Sequence, residues 1–154
     1  MPDLIEDYLA GHQLLRQAVA GMSPEQFVTR PIPGKWSTLE VICHLADFEI
    51  VYADRIKRVI AENEPILPSG DDKAFAARLA YHQRSPQDEL LLIELIREQV
   101  ALILGTLKPE DFQRRGIHSE LGPLTLETLV KRAISHIPHH VRFIEEKRKA
   151  LSDE

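Results

Sequence analysis

The sequence has almost no cysteine, no long apolar run and no excess of basic charge. Cys43 is the single cysteine among 154 residues, which excludes an intrachain disulfide and a cysteine-based zinc site. No apolar run reaches the roughly 18 to 20 residues that a membrane-spanning helix needs, and the acidic N-terminus is unlike a signal peptide. The net charge of −5 argues against nucleic-acid binding through bulk charge. We therefore expect a cytoplasmic protein without a membrane or nucleic-acid partner.

What the sequence does contain is enough apolar material for one core, and an unusual number of histidines. Hydrophobic residues make up 44% of the 154 residues, an amount and length typical of one domain. We predict a single domain over residues 1–154. The chain has seven histidines, and His136, His139 and His140 stand close together near its C-terminus.

Helical periodicity dominates the chain. Apolar residues recur at spacings of three and four over residues 3–20, 37–62, 85–107 and 125–150. Ser37 and Glu40 form the pattern of a capping box at the start of the second segment, and Ser85-Pro86 marks the start of the third. Residues 27–30 and 113–118 are predicted to be extended connections rather than strands. The fold class expected is therefore all-α, a four-helix bundle with long connections.

Two histidines of the fourth segment share one edge of its apolar face. At about 100° per residue, His140 lies about 40° and His136 about 80° from the centre of the apolar stripe. Residues four apart stack on a helix surface, so the two imidazoles can converge on one metal ion. His139 lies about 140° away and is expected in solvent. Pro138, between them, is expected to kink the helix or to be tolerated without a role.

A third ligand has to come from another helix, and the second segment offers His44. Its position is about 90° from the centre of the apolar stripe, which permits projection inward without requiring it. Asp47, one turn further on, could orient a ligand or a bound water. His12 is expected to fill the core or line a pocket, whereas His82 and His118 are expected in solvent, with His118 near enough to the fourth helix to reach a pocket mouth.

Other chemistries fit the residues less well. A di-iron bundle needs two Glu-x-x-His pairs, and none of His44, His136 and His140 has a glutamate three residues before it. Neighbouring helix positions point about 100° apart, so Cys43 and His44 are an unfavourable nucleophile–base pair. The glycines are scattered and form no phosphate-binding loop.

The motifs, taken in order, resemble those of the DinB superfamily of four-helix metalloproteins, and its YfiT-like branch in particular. The sequence Gly-Lys-Trp-Ser at 34–37 is followed by His-Leu-Ala-Asp at 44–47 and by His-x-x-His-His at 136–140. Residues 55–65, 67–68, 72–75, 110–112 and the His-x-Glu-x-Gly at 118–122 match that branch in order and spacing. The likeness covers nearly all of the chain after about residue 23.

The resemblance implies a bundle that binds one divalent ion, zinc or nickel, through His44, His136 and His140. It also matches Trp36 to a tryptophan at the start of the second helix, where packing is its expected role. Members are described as metal-dependent hydrolases or as transferases that join low-molecular-weight thiols to electrophiles, and homodimers recur among them. A small-molecule substrate, a thiol among the options, is the partner implied.

Three imidazoles leave an open position on the ion, and two chemistries follow. A bound water would become a nucleophile, as in a hydrolase, and a bound thiol would be deprotonated, as in a thiol transferase. We favour thiol transfer on the resemblance alone. A non-catalytic, metal-stabilised binding module for a stress response and a metal-free bundle are the alternatives. The arginines considered for holding an anionic substrate at the pocket rim are Arg30, Arg114, Arg115 and Arg142.

Overall fold

The computed structural model describes residues 2–153 and contains six α-helices, two 3-10 turns and one small sheet. The helices are α1 Pro2–Ala18, α2 Pro24–Val28, α3 Thr38–Ala61, α4 Asp72–Arg78, α5 Pro86–Leu104 and α6 Leu126–Ser152. The 3-10 turns are Tyr81–Gln83 and Pro109–Gln113, and the strands are β1 Ile66–Leu67, β2 Arg115–His118 and β3 Gly122–Thr125. No described helix is both long and apolar enough to cross a membrane.

The long helices begin where their capping residues are. Ser37 Oγ accepts the backbone N–H of Glu40, and the Glu40 carboxylate accepts the backbone N–H of Ser37. Ser85 Oγ likewise accepts the backbone N–H of Asp88 at the start of α5, with Pro86 in the first helical position. These side chains satisfy backbone donors that the first helical turn leaves without partners. Two ends differ from expectation, because α1 stops at Ala18 and α5 at Leu104.

The bundle is a four-membered ring of helices. Helix α1 packs on α5 and α6, and α3 packs on the same two helices, so α1 and α3 lie diagonally opposite. The apolar faces of all four helices enclose the core. The four-helix bundle expected from periodicity is confirmed. Helix α6 continues through Pro138.

A fully buried arginine ties the helices together near the middle of the bundle. Arg97 of α5 donates to both carboxylate oxygens of Glu49 on α3, at 2.8 and 3.0 Å. Its remaining N–H groups reach the carbonyl oxygens of Tyr8 on α1 and Ala133 on α6. Arg97 and Glu49 are both inaccessible to solvent. Such a pair is tolerated because the two charges are paired and each guanidinium nitrogen has a hydrogen-bond partner.

The small sheet corrects the expectation of extended connections without strands. Strand β1 pairs in parallel with β2, and β2 pairs antiparallel with β3 in a short hairpin. Gly116 allows this contact, since a Cβ there would lie 2.7 Å from the Leu67 side chain and 2.8 Å from that of Val59. Strands of two and four residues are too short to show a period-two pattern, so they were not recognisable from the sequence. The sheet fixes the loop that precedes α6.

Candidate metal centre

Three histidine rings converge between α3 and α6. His44 Nε2 lies 3.1 Å from His136 Nε2 and 3.1 Å from His140 Nε2. All three of these donor atoms lie within 4.8 Å of one another. His44 is buried, and the other two are partly buried. The i, i+4 pair on α6 and the single histidine on α3 therefore meet as the helix faces predicted.

The donor set has the chemistry and spacing of a divalent-metal site. Imidazole nitrogen suits zinc and nickel. A tetrahedral ion about 2.0 to 2.1 Å from each nitrogen separates its ligands by about 3.3 Å. The two 3.1 Å distances from His44 therefore need only a small adjustment, and the third pair, within 4.8 Å, would have to close by at most about 1.5 Å. Within residues 2–153, the Nδ1 atoms of His44 and His136 are buried without a hydrogen-bond partner. The rings are therefore held by packing rather than by the hydrogen-bonded carboxylates common around metal sites.

Burial keeps these imidazoles in the neutral form that binds metal. Desolvation, with repulsion from His44 and His140, lowers the pKa of His136 to about 3. Desolvation, with repulsion from His44 and His139, lowers the pKa of His140 to about 4. The pKa of His44 is also lowered by burial, although Asp72 and Asp47 oppose the shift. Neutral rings need not release a proton when an ion binds.

Aromatic side chains surround the histidines. The ring of His44 lies between those of Trp36 and Phe48, with centroids 5.2 and 4.8 Å away. Tyr52 packs on His136 at 5.6 Å, and Phe143 packs on His140 at 5.9 Å. These rings exclude water from the sides of the cluster and hold the imidazoles in place.

A cavity of about 240 Å³ opens on the His140 side of the cluster. Its walls are Gly34, Lys35, Trp36, Val41, His140, Phe143 and Lys147. Lys147 is 4% exposed and donates to the carbonyl oxygen of Phe143, and burial lowers its pKa. The wall therefore carries two ammonium groups and no carboxylate. A cavity with these walls favours an anionic or soft ligand.

A sequence profile of the DinB superfamily matches residues 8–144, which include all three histidines. The chain belongs to the DinB superfamily. An Oceanobacillus iheyensis protein named "putative metal-dependent hydrolase" is 30% identical over 86% of this chain and 76% of its own length. YfiT of Bacillus subtilis, which bears the same description, is 29% identical over 86% of this chain and 75% of its own length.

Solved structures of other proteins show the same DinB architecture. YfiT, described as a probable metal-dependent hydrolase with an unusual four-helix bundle topology, superposes with a TM-score of 0.90 at 26% identity, covering 98% of this chain and 87% of YfiT. A mycothiol-dependent maleylpyruvate isomerase superposes with a TM-score of 0.72 at 10% identity, covering 92% and 59%. That second likeness concerns the fold alone.

Asp47 lies one turn after His44 on α3, and its carboxylate forms hydrogen bonds with Arg84 rather than with a histidine ring. Both of its carboxylate oxygens accept hydrogen bonds from Arg84, at 2.8 and 3.1 Å, and Arg84 also binds Glu89. Arg84 follows the Tyr81–Gln83 turn, so the positions of residues on α3 gave no indication that it would bind Asp47. The carboxylate serves an ion-pair network rather than a histidine ring.

The arginines expected at the pocket rim have other partners. Arg30 forms a fork with the Glu40 carboxylate, and Arg115 pairs with Glu64. Arg114 donates to backbone carbonyl oxygens at the end of α3, and Arg142 contacts His139. None of the four lines the cavity beside His140. The cations of this cavity are Lys35 and Lys147 instead. Lys147 could have been predicted, because it lies seven residues after His140 and so on the same face of the helix.

The other histidines divide between solvent and interior. His82 and His139 are exposed, as expected. His12 is partly buried, and its Nδ1 atom has no partner within the described chain. His118 is only 6% exposed, which corrects the expectation that it lies in solvent. It is buried because β2 folds against β1 and the end of α3.

Proposed function

We propose that this protein is a metal-dependent enzyme in which His44, His136 and His140 bind one divalent ion, zinc or nickel. The observation that carries the proposal is the convergence of three neutral imidazole Nε2 atoms beside a cavity large enough for a small molecule. Three ligands leave a position for substrate, as in catalytic zinc sites. Relatives described as metal-dependent hydrolases support a metal-dependent activity.

We propose thiol transfer as the reaction, in which a low-molecular-weight thiol attacks an electrophilic small molecule. A divalent ion in this site would deprotonate a bound thiol at neutral pH. The cavity wall contributes Lys35 and Lys147, whose charges attract an anionic thiol, and Trp36 and Phe143 provide apolar contact for its partner. Thiol attack needs no further base, which agrees with a wall that has no carboxylate.

Hydrolysis is the second candidate, favoured by the descriptions of the relatives. The same ligands would activate water, but a hydrolase commonly adds a general acid or base beside the ion. A third candidate, from another class, is a non-catalytic binding module stabilised by the ion. The binding module would use the same three metal ligands as the transferase and the hydrolase, but it would catalyse no reaction.

An assay of the metal-loaded protein separates these functions. We expect thiol-dependent conjugation of monochlorobimane that is lost in His140→Ala and kept in His82→Ala, which removes an exposed histidine. Turnover of p-nitrophenyl acetate without thiol, and no conjugation, would overturn thiol transfer in favour of hydrolysis. Stoichiometric metal with neither reaction would support the binding module.

A further inference from the structure

A second cavity lies on the other flank of the histidine cluster, beside His136. Its volume is about 220 Å³. Phe48 and Tyr52 line it and also pack on the histidine rings, so a single layer of aromatic side chains separates it from the candidate metal centre. Its walls come from α3, α6 and the sheet: Phe48, Tyr52, Arg55, Ser69, Gly70, His118, Glu120, Leu121, Leu124, Leu129 and Arg132.

Arg55 is a buried guanidinium that forms no ion pair within residues 2–153, and its Cζ atom lies 5.7 Å from the centroid of the Tyr52 ring. It is 8% exposed, donates once to the carbonyl oxygen of Pro68 at 2.8 Å, and leaves Nε buried with no partner in residues 2–153. Two other arginines in the interior are matched fully: Arg97 by Glu49, and Arg84 by two carboxylates. Burying an unpaired charge is costly. Arg55 therefore has the environment of a residue whose partner is a ligand.

His118 presents a hydrogen-bond donor to the same cavity. Its Nδ1 atom accepts the backbone N–H groups of Glu120 and Leu121, at 3.1 and 3.2 Å. A neutral imidazole that accepts at Nδ1 carries its proton on Nε2. Burial and the nearby charges of Arg55 and Arg132 lower the pKa of His118 and so favour this neutral form. The ring is thereby fixed as a donor rather than an acceptor.

The charges around the cavity are predominantly positive. Arg132 of α6 is exposed and makes no ion pair within the described chain, and it lies close enough to Arg55 to lower the pKa of that guanidinium. Glu120 is the single carboxylate on the wall and pairs with neither arginine in the described structure. Two guanidinium groups and an imidazole N–H thus surround one small space. Guanidinium forks match the planar oxygens of carboxylates and phosphates.

We propose that this cavity is an oxyanion-binding site, in which Arg55, Arg132 and His118 Nε2–H hold a carboxylate or phosphate group. The site stands on its own contacts and does not require a metal. The shared wall of Phe48 and Tyr52 places the two sites side by side.

Nuclear magnetic resonance titration of the metal-free protein with inorganic phosphate, and separately with succinate, at constant ionic strength tests the site. We expect saturable shifts of the Glu120 and Leu121 amides with a dissociation constant of about 1 mM or tighter. Arg132→Gln should weaken binding by about tenfold or more, and so should Arg55→Lys, which keeps the buried charge but loses the fork. A matched control, Arg115→Gln, removes the same charge from β2 and should change binding less than about twofold.

Two further variants test the assigned donor and the carboxylate. His118→Asn keeps an acceptor near the position of Nδ1 but removes the Nε2–H donor, so binding should weaken by about three- to tenfold. Glu120→Gln should strengthen binding by about two- to fivefold, because it removes the opposing charge. Amide spectra report whether each variant is folded.

Three outcomes would overturn the proposal. One is no saturable shift of the wild type at concentrations on the order of 10 mM. Another is equal weakening by Arg115→Gln and Arg132→Gln, which would indicate binding through net charge. The third is unchanged affinity in folded Arg55→Lys and His118→Asn. Because the titration uses metal-free protein, phosphate binding can succeed while metal binding fails, or the reverse, and the two proposals are judged separately.

Discussion

At the scale of the residue, the candidate centre depends on three histidines that the fold keeps uncharged. Burial lowers the pKa of His136 to about 3 and that of His140 to about 4, and their mutual proximity adds to both shifts. In the unfolded chain the same side chains titrate near 6.5. The free energy of unfolding of the metal-free protein should therefore fall as the pH drops below the pKa of these histidines in the unfolded chain.

Acidification should destabilise the metal-free protein while most carboxylates are still charged. Between about pH 7 and about pH 5.5 the unfolded chain gains protons at His136 and His140 and the folded protein does not, so the free energy of unfolding falls by roughly 2 to 3 kcal/mol. The folded protein is thus more stable above the pKa of the unfolded histidines, about 6.5, than below it. Urea denaturation at the two pH values measures the loss.

The double variant His136→Gln, His140→Gln removes both groups and serves as the control. Its free energy of unfolding should change much less over the same pH interval. An equal pH dependence in the variant and the wild type would show that other groups are responsible.

The sequence indicated the convergence of His136 and His140 from their positions on one helix, whereas the position of His44 only permitted it and the family resemblance completed the set. His136 and His140 are four residues apart, and His44 lies on the flank of α3 that turns toward α6. Asp47 and the rim arginines could not be predicted in this way. Arg84, the partner of Asp47, comes from a connecting segment, and Arg30, Arg114 and Arg115 themselves lie outside the long helices, so the path of the chain decides what they contact.

At the scale of the element, α1, α5 and α6 meet around Arg97, and Gly11 makes room for it. A Cβ at Gly11 would overlap the Arg97 guanidinium and lie 3.3 Å from the Ile137 side chain. The guanidinium has four hydrogen bonds that fix its position. It cannot move aside without losing some of them, so the glycine is required by packing rather than by backbone conformation.

Gly11→Ala should therefore destabilise the protein even though alanine is the better helix former. Overpacking in a core destabilises a protein by about 1 to 3 kcal/mol. The greater helix propensity of alanine offsets about 1 kcal/mol of that loss. We expect a net loss of up to about 2 kcal/mol in the free energy of unfolding, measured by urea denaturation.

Gly105→Ala is the matched control. Gly105 follows α5 with right-handed backbone angles, and a Cβ there would have only ordinary contacts of 3.4 and 3.5 Å. Its free energy of unfolding should stay unchanged or rise by up to about 1 kcal/mol. Equal effects of the two substitutions would refute the packing role of Gly11.

The helices were predictable to within a few residues because their starts are encoded locally. Ser37 and Ser85 cap α3 and α5 as their sequence patterns indicate. The sheet was not predictable, since β1 and β2 are about 50 residues apart in the chain and their pairing depends on the tertiary fold. The burial of His118, and with it the second cavity, was missed for the same reason.

At the scale of the whole molecule, the outer face of α5 exposes three leucines with the exposed Glu98 among them. Leu91, Leu95 and Leu102 are 48, 53 and 74% exposed, and their spacing places them on one side of the helix. The inner faces of α5 pack on α1 and α3. We propose these leucines as the interface of the homodimer that the family resemblance implies.

Light scattering after size-exclusion chromatography tests the dimer. We expect the wild type at about twice its chain mass of 17.6 kDa and Leu95→Glu as a monomer, because burying an unpaired carboxylate in an apolar interface is unfavourable. Leu79→Glu changes an exposed leucine away from α5 and should remain dimeric. A monomeric wild type, or a dimeric Leu95→Glu, would contradict an interface on α5.

The central claim is that three histidines hold one divalent ion, and bound metal per chain in purified protein tests it most directly. We predict about one equivalent of zinc or nickel in the wild type and in His139→Ala, whose histidine is exposed on the same helix. His44→Ala, His136→Ala and His140→Ala should each lose most of the ion while remaining folded. Full metal content in all three folded variants would contradict the account.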